Sequence, residues 1–313
     1  MAIKKESEGA VLVTGATGFV GAHLVSTLMA TDVDVRPLAR SDFDRIAAGE
    51  SGKTSLEGCD TVVHLAARAH VLDETSPALL DVYRKTNRDA TLILARAAAA
   101  VGVRRFVFVS SIRVNGSSSS RPFRSEDPPH PEEPYALSKY EAELGLWRVA
   151  EETGLEVVVV RPPLVYGPGV KANFRRLLGL AATGLPLPFA SIEGRRSLIS
   201  VHNLVDVLRI CLQHRNAPGR TLLVSDGKDI SLPSLIRELA AGMDRPSRLF
   251  PMPAGLVRAL AALVGRAETF DKLAASLQVD PTDTFSALGW RPPISLTDGL
   301  RETARWYAES CNA

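Results

Sequence analysis

The chain has 313 residues, 45% of them hydrophobic and 23% charged, with a net charge of +2. That length builds a substantial core, in one large or two modest domains. The Lys and Arg residues are scattered, which excludes a nucleic-acid face. The three cysteines, Cys59, Cys211 and Cys311, are odd in number and lack metal-ligand spacing, so they read as incidental thiols of a reducing compartment. The segment Met1 to Gly9 is polar and mixed in charge, unlike a signal peptide. The most apolar helix, Ala254 to Val264, contains Arg258 and is too short to span a bilayer. A cytoplasmic protein without a membrane span is expected.

In chain order, the apolar run Ala10-Val-Leu-Val13 is the first strand. It leads into the turn Thr14-Gly-Ala-Thr-Gly-Phe-Val-Gly21 and a helical stretch from Phe19 to Met29. Strand, tight turn and helix form the context in which glycines bind phosphate. Gly15 allows the turn, Gly18 lets the backbone approach a pyrophosphate, and Gly21 lets the helix pack on the strand. The spacing is GxxGxxG. Val33 to Leu38 is a second strand and Thr61-Val-Val-His-Leu65 a short buried one. A long helix covers Pro77 to Val101 and closes at Gly102, followed by the strand Arg105-Phe-Val-Phe-Val109. Pro134 to Thr153 is a further helix. Leu155-Glu-Val-Val-Val-Val160 has the β-branched richness of a parallel sheet's centre.

These alternations spell a doubly wound, Rossmann-like α/β fold over residues 1–165. After Arg161 the rhythm breaks, and Pro and Gly become frequent. Only Thr221-Leu-Leu-Val224 reads as another strand of the main sheet, within a returning segment near 200–226. Residues 166–199 and 227–313 are expected to form a smaller, mostly helical C-terminal lobe that binds substrate. Ser117 to Ser120 is a low-complexity loop.

The chemistry centres on Pro134-Tyr-Ala-Leu-Ser-Lys139. Tyr135 and Lys139 lie i and i+4 on a helix, so both project from one face. A phenol ordinarily titrates near pH 10, and a nearby ammonium favours its ionised form. A Tyr tuned in this way can exchange a proton with a substrate hydroxyl or carbonyl. Open α/β sheets bind ligands at the carboxyl ends of their strands. Gly15, Gly18, Ser110, Ser111 and Pro162 all follow strands and meet along that edge. A Ser hydroxyl there can hydrogen-bond a substrate carbonyl beside the phenol. The six histidines, His23, His64, His70, His130, His202 and His214, show no metal spacing and read as structural.

Taken in order, Thr14-Gly-Ala-Thr-Gly-Phe-Val-Gly21, His64-Leu-Ala-Ala67, Asn87 in Thr86-Asn-Arg-Asp-Ala-Thr91, Ser110-Ser111, Tyr135/Lys139 and Arg161-Pro-Pro-Leu-Val-Tyr-Gly-Pro-Gly169 resemble the extended short-chain dehydrogenase/reductases, the epimerase/dehydratase group. The resemblance covers nearly the whole chain. It implies Tyr135 as acid/base and Lys139 as the residue that lowers its pKa and holds the nicotinamide ribose. It implies Ser111 as the carbonyl-orienting group and Asn87 as support for a proton-relay water. It places the dinucleotide on Gly15, Thr17, Gly18, Phe19, Val20, Gly21, Leu65, Ala66, Ala67, Ser110, Tyr135, Lys139 and Pro162.

More narrowly, His64 to Val71, Ser110-Ser-Ile-Arg-Val-Asn-Gly116, Arg161 to Phe174 and Arg195-Arg-Ser-Leu-Ile-Ser200 resemble bacterial surface-polysaccharide enzymes. These include UDP-4-keto-6-deoxy-N-acetylglucosamine 4-reductases and UDP-glucose 4-epimerase-like proteins. Departures are visible. Asn115 stands where epimerases carry Tyr, and Leu164 where they often carry Asn. The stretch Arg40 to Asp60 lacks an evident third strand with the usual adenine contact.

Cofactor choice is read at the end of the second strand, where a carboxylate selects NAD and an Arg accommodates the 2′-phosphate of NADP. Here Ala39 holds the acid position and Arg40 follows, so NADP is expected, with NAD possible. The substrate is expected to be a UDP-sugar, its diphosphate clamped by Arg196 and met by Asn173 at a helix start, with Phe189 walling the base. The expected reaction is reduction of a 4-keto-6-deoxy sugar nucleotide. The alternatives are a 4-epimerase with tightly bound NAD and a non-catalytic NADP sensor. Retention of Ser111, Tyr135 and Lys139 argues against the sensor. The resemblance also implies a homodimer formed through the helices of Pro77–Val101 and Pro134–Thr153.

Overall fold

The computed structural model describes residues 9–50, 53–68, 79–263, 265 and 267–312. In chain order the first lobe carries β1 (Ala10–Thr14), α1 (Phe19–Met29), β2 (Val35–Pro37), α2 (Arg40–Ala47), α3 (Lys53–Leu56) and β3 (Cys59–His64). It continues through α4 (Leu79–Tyr83), a π-helical turn (Arg84–Asp89), α5 (Ala90–Ala100), β4 (Arg105–Val109), a 3₁₀ turn (Ile112–Val114), α6 (Pro134–Thr153) and β5 (Glu156–Arg161). Beyond these come β6 (Leu164–Tyr166), α7 (Ala172–Ala182), β7 (Arg195–Ser200), α8 (Val201–Cys211), β8 (Arg220–Leu223), β9 (Asp229–Ser231) and α9 (Leu232–Gly242). The chain ends in α10 (Ala254–Leu263), α11 (Ala267–Ala274), α12 (Thr282–Leu288) and α13 (Leu296–Asn312).

Six parallel strands form the main sheet in the order β2-β1-β3-β4-β5-β8. Alternate residues of each strand face opposite layers, so apolar runs rather than alternating patterns are needed. Leu12, Val62, Phe106, Phe108, Val157 and Val159 pack under α2, α5 and α6. Val11, Val13, Val63, Val107, Val158 and Val160 pack under α1 and α8 on the other face. This is the Rossmann-like architecture expected. Among the described residues β2 is the sheet's edge on that side, and α2 and α3 fill the stretch between β2 and β3.

Several elements differ in detail from what the sequence predicts. The long helix expected from Pro77 is described from Leu79, Pro77 itself lying outside the described residues, and it is interrupted by the π-helical turn at Arg84–Asp89. The π-helical turn lies in the polar segment Arg84-Lys-Thr-Asn-Arg-Asp89, where few apolar residues mark a period and one inserted residue leaves no trace. The C-terminal region holds its own small sheet, β6-β7-β9, which three- to six-residue strands concealed. Its core gathers Tyr166, Phe174, Leu178, Leu198, Ile230, Leu235, Ile236, Leu239 and Leu300. Residues 227–313 do not all stay in that lobe. Leu288 and Trp290, at the end of α12 and just beyond it, pack into the first lobe's core beside α8.

Two buried polar joints hold this arrangement. Glu143 of α6, 1% exposed, accepts hydrogen bonds from Ser110 Oγ after β4 and from Nε and Nη2 of Arg161 on β5. Arg161 Nη1 donates to Asn115 Oδ1 at 2.9 Å, which brings the 3₁₀ turn into the same joint. Between the lobes, Tyr166 Oη donates to Asp226 Oδ2 at 2.7 Å, and Asn203 Nδ2 donates to Asp226 Oδ1 at 2.6 Å. Breaking a buried pair from one side leaves an uncompensated charge, at a cost of about 3–5 kcal/mol. Arg161→Met is therefore expected to lose that much in urea unfolding. The double variant Glu143→Leu/Arg161→Met should recover most of the loss.

Candidate active site

The parallel sheet delivers its strand ends to one edge. Gly15 follows β1, Leu65 to Ala67 follow β3, Ser110 and Ser111 follow β4, and Pro162 follows β5. Gly15 has φ +65°, a value that favours glycine. A Cβ on Gly21 would stand 2.1 Å from the Gly15 carbonyl oxygen, so the first turn of α1 closes on the loop only with glycine there. Gly18 is the N-cap of α1, and no side chain caps the helix. Its first amides therefore remain available to an anion, with the helix dipole behind them. Thr17 and Gly18 are exposed, and Phe19 and Val20 are half-buried. This cradle fits the pyrophosphate of a dinucleotide. Thr14 Oγ1 accepts from the Ala66 amide at 3.1 Å and so joins the β1 and β3 loops.

Behind it, His64 is fully buried between Thr14 Oγ1 at 2.7 Å and Thr91 Oγ1 at 2.8 Å. Burial, then the Lys139 charge, pushes its imidazole down to about 3, so it stays neutral. That matches a structural His. Among the described residues no cluster of His, Cys, Asp or Glu could hold a metal. His70, and with it the end of the His64–Val71 motif, lies outside the described residues.

Pro134 opens α6, which places Tyr135 in its first turn, and Lys139 and Glu143 follow at four-residue steps on the same side. Burial, joined by the neighbouring Tyr83 phenol, pushes Tyr135 up to about 12, and the Arg113 guanidinium opposes the rise. The two phenol rings meet edge to face at 5.9 Å. Lys139 is 1% exposed and lies over the Phe108 ring, 4.0 Å from its centroid. Burial pushes its ammonium down to about 7, against the pull of Glu143. Spacing alone has the ammonium favouring the ionised phenol and lowering its pKa. In the folded protein desolvation dominates both groups and moves each toward its neutral form.

The two serines divide their work. Ser110 is buried and its hydroxyl is taken by Glu143. Ser111 is half-buried, and its Oγ accepts the Arg113 amide at 3.2 Å as cap of the 3₁₀ turn. Its O–H is thereby left to donate. Pro162 is buried, its carbonyl accepting the Ile112 amide at 3.0 Å. Asn87 sits in the π-helical turn with no exposed surface. Its amide grips the Arg68 backbone and donates to Ser138 Oγ at 3.1 Å, and Ser138 donates to the Tyr135 carbonyl. Asn87 therefore braces the start of α6 through a filled set of bonds.

Other expected residues stand apart from this centre. Arg40 opens α2 beyond β2, exposed, with Nε shared by both Asp44 oxygens at 3.1 Å. Arg196 on β7 is largely buried, and its Nε has no partner among the described residues. Burial, then the like charge of Arg113, pulls it down to about 10. Asn173 is exposed in the first turn of α7, and Phe189 packs half-buried in the second lobe. Ala172, just before Asn173, holds φ +53°, unusual for a non-glycine residue. Glu143 lies outside the motifs, and Asn115, marked in the sequence only as a departure from the epimerase pattern, joins it through Arg161. The i+4 step from Lys139 to Glu143 is a signal that could find the first.

A Rossmann-like sheet with a glycine cradle and a Ser-Tyr-Lys set at its carboxyl edge defines a dinucleotide-dependent oxidoreductase scaffold. The model of the NAD dependent epimerase/dehydratase family matches residues 11–225, and the chain belongs to that family. A Vibrio cholerae UDP-glucose 4-epimerase is 41% identical over 316 residues, covering 96% of each chain. Among solved structures, MoeE5 in complex with UDP-glucuronic acid and NAD is 26% identical with a TM-score of 0.75, over 96% of this chain and 100% of that one. RMD from Pseudomonas aeruginosa, complexed with NADPH, is 25% identical with a TM-score of 0.76, over 96% and 99%.

Two measurements check the site. Tyr135→Phe keeps the ring but removes the proton, and should lower kcat by roughly 10²-fold or more with cofactor affinity little changed. Lys139 keeps its proton up to about pH 7 when folded, and up to 10.5 as a free side chain. Between those values the unfolded chain binds more protons, so stability rises with pH across the window. Lys139→Met should raise the unfolding midpoint at pH 6, with the advantage shrinking toward pH 10.

Proposed function

We propose that the protein is a nucleotide-sugar 4-epimerase that keeps its nicotinamide cofactor through turnover. The observation that carries this reading is the retained Ser111-Tyr135-Lys139 set in a chain 41% identical, end to end, to a UDP-glucose 4-epimerase. That relationship favours epimerisation over the 4-keto reduction first expected. When bound, the oxidised nicotinamide ring would accept the hydride of the sugar carbon and return it to that same carbon. The protein's own residues handle the proton. Tyr135 moves it on and off the sugar oxygen, and Ser111 donates a hydrogen bond to that oxygen. Lys139 is placed to hold the ribose.

Arg196 supports a sugar diphosphate as ligand. A largely buried guanidinium with an unpartnered Nε is suited to charge-assisted pairing with phosphate. Asn173 and Phe189 would complete the nucleotide end. NADP in place of NAD is supported by Ala39 and Arg40, which put no carboxylate at the end of β2. Exposed Val82, Ile93 and Leu144 on α4, α5 and α6 support a homodimer through those helices. Three free cysteines support a cytoplasmic setting.

Purified protein should convert a UDP-hexose to its C4 epimer with no added cofactor, and acid should release NAD(H) or NADP(H). Stoichiometric NADPH consumption with a 4-keto sugar nucleotide, and no interconversion, would replace epimerase with reductase. Arg196→Ala should raise KM strongly, with free UDP losing affinity by a similar factor and the dinucleotide unaffected. Failure of UDP to compete at millimolar concentration would remove nucleotide sugars as the substrate class. Arg40→Ala should weaken NADPH by about 1.5–3 kcal/mol and NADH barely; equal losses would mean adenine stacking instead.

A further inference from the structure

Arg113 stands two residues after Ser111, and Glu133 two residues before Tyr135 as the N-cap of α6. The two are 20 positions apart in the chain, yet Arg113 Nη1 donates to Glu133 Oε1 at 3.0 Å. Their side chains are 27% and 35% exposed, so the pair lies at the rim of the site and is partly shielded. It ties the turn that carries the Ser111 hydroxyl to the helix start that carries the Tyr135 phenol.

Two groups act on that phenol: Tyr83 of α4, whose ring meets it at 5.9 Å, and Arg113 of the 3₁₀ turn. Arg113 is paired with Glu133, the cap of α6, and its charge also bears on Arg196 of β7, while Lys139 of α6 lies over the Phe108 ring. Lys139 is a poor permanent cation, because burial has pushed it to about 7 and much of its charge is lost above that pH. A guanidinium stays charged throughout. The guanidinium of Arg113 opposes the upward push on the Tyr135 phenol.

We propose that Arg113, clamped by Glu133, is a positioning residue for the proton-transfer pair: it fixes the Ser111 turn against the start of α6 and keeps a permanent cation beside the Tyr135 phenol. The proposal rests on the Ser111/Tyr135 reading above. Arg113→Gln keeps a donor for Glu133 but removes the charge. It should move the ascending limb of the kcat–pH profile upward by roughly one unit, the low end for loss of a nearby opposite charge. At fixed pH on that limb this is about a tenfold loss of kcat. Arg113→Lys should keep the limb near its wild-type position. The exchange Arg113→Glu/Glu133→Arg should recover thermal stability lost in Arg113→Glu alone and leave the limb displaced. Bound-cofactor content and unfolding midpoints confirm that each variant is folded.

Wild-type kcat and an unmoved limb in folded Arg113→Gln overturn the proposal. So does a raised KM with kcat and limb unchanged, which would make Arg113 a second anion clamp beside Arg196. An active Tyr135→Phe instead sinks the underlying reading, so the two failures are distinguishable.

Discussion

A carboxylate buried beneath the carboxyl edge of the sheet sets the frame for everything around the site. Glu143, on α6, is held by Ser110 and Arg161, and Arg161 in turn holds Asn115. Four segments that the chain brings in separately are thereby fixed by one charge: the ends of β4 and β5, the 3₁₀ turn and α6. Two charges taken out of water are tolerable only when their hydrogen bonds are nearly complete. Here one is left open, Nδ2 of Asn115, which is buried without a partner among the described residues. The geometric tolerance of such a joint is small. Ser111 and Tyr135 therefore inherit fixed positions from a pair that performs no chemistry itself.

The same burial governs the chemistry. In water a phenol and an ammonium one helical turn apart would favour their ionised forms together. Desolvation works against both, lifting Tyr135 to about 12 and lowering Lys139 to about 7. A site of this kind responds strongly to any charge brought into it, because the surroundings screen little. Fixed cations then matter more than their number suggests, and the like charge of Arg113 adds to burial in lowering Arg196.

The second lobe is joined to the first by a buried polar joint as well as by packing. Asp226, after β8, receives Tyr166 from β6 and Asn203 from α8, while Asn203 also reaches the Ile294 carbonyl before α13. Burial raises the Asp226 carboxyl, and its three donors resist that rise. Tyr166 packs so closely on α13 that a Cβ on Gly299 would lie 2.7 Å from its hydroxyl oxygen. β6 and α13 of the second lobe are thereby fixed against α8 of the first.

Much of this was legible in the sequence, for local reasons. Apolar runs with β-branched residues marked β1, β3, β4 and β5. α6 was read from Pro134 to Thr153, and the glycine spacing after β1 announced a helix start open to phosphate. Tyr135 and Lys139 were placed on one face by helical periodicity alone. What the sequence could not supply depended on contacts between distant segments. The π-helical turn that turns Asn87 inward, the three short strands of the second sheet, and the return of Leu288 and Trp290 to the first core have no local signature. Nor does the sign of a pKa shift. Spacing says that an ammonium lies near a phenol, but burial decides which force wins, and burial is a property of the packed tertiary structure.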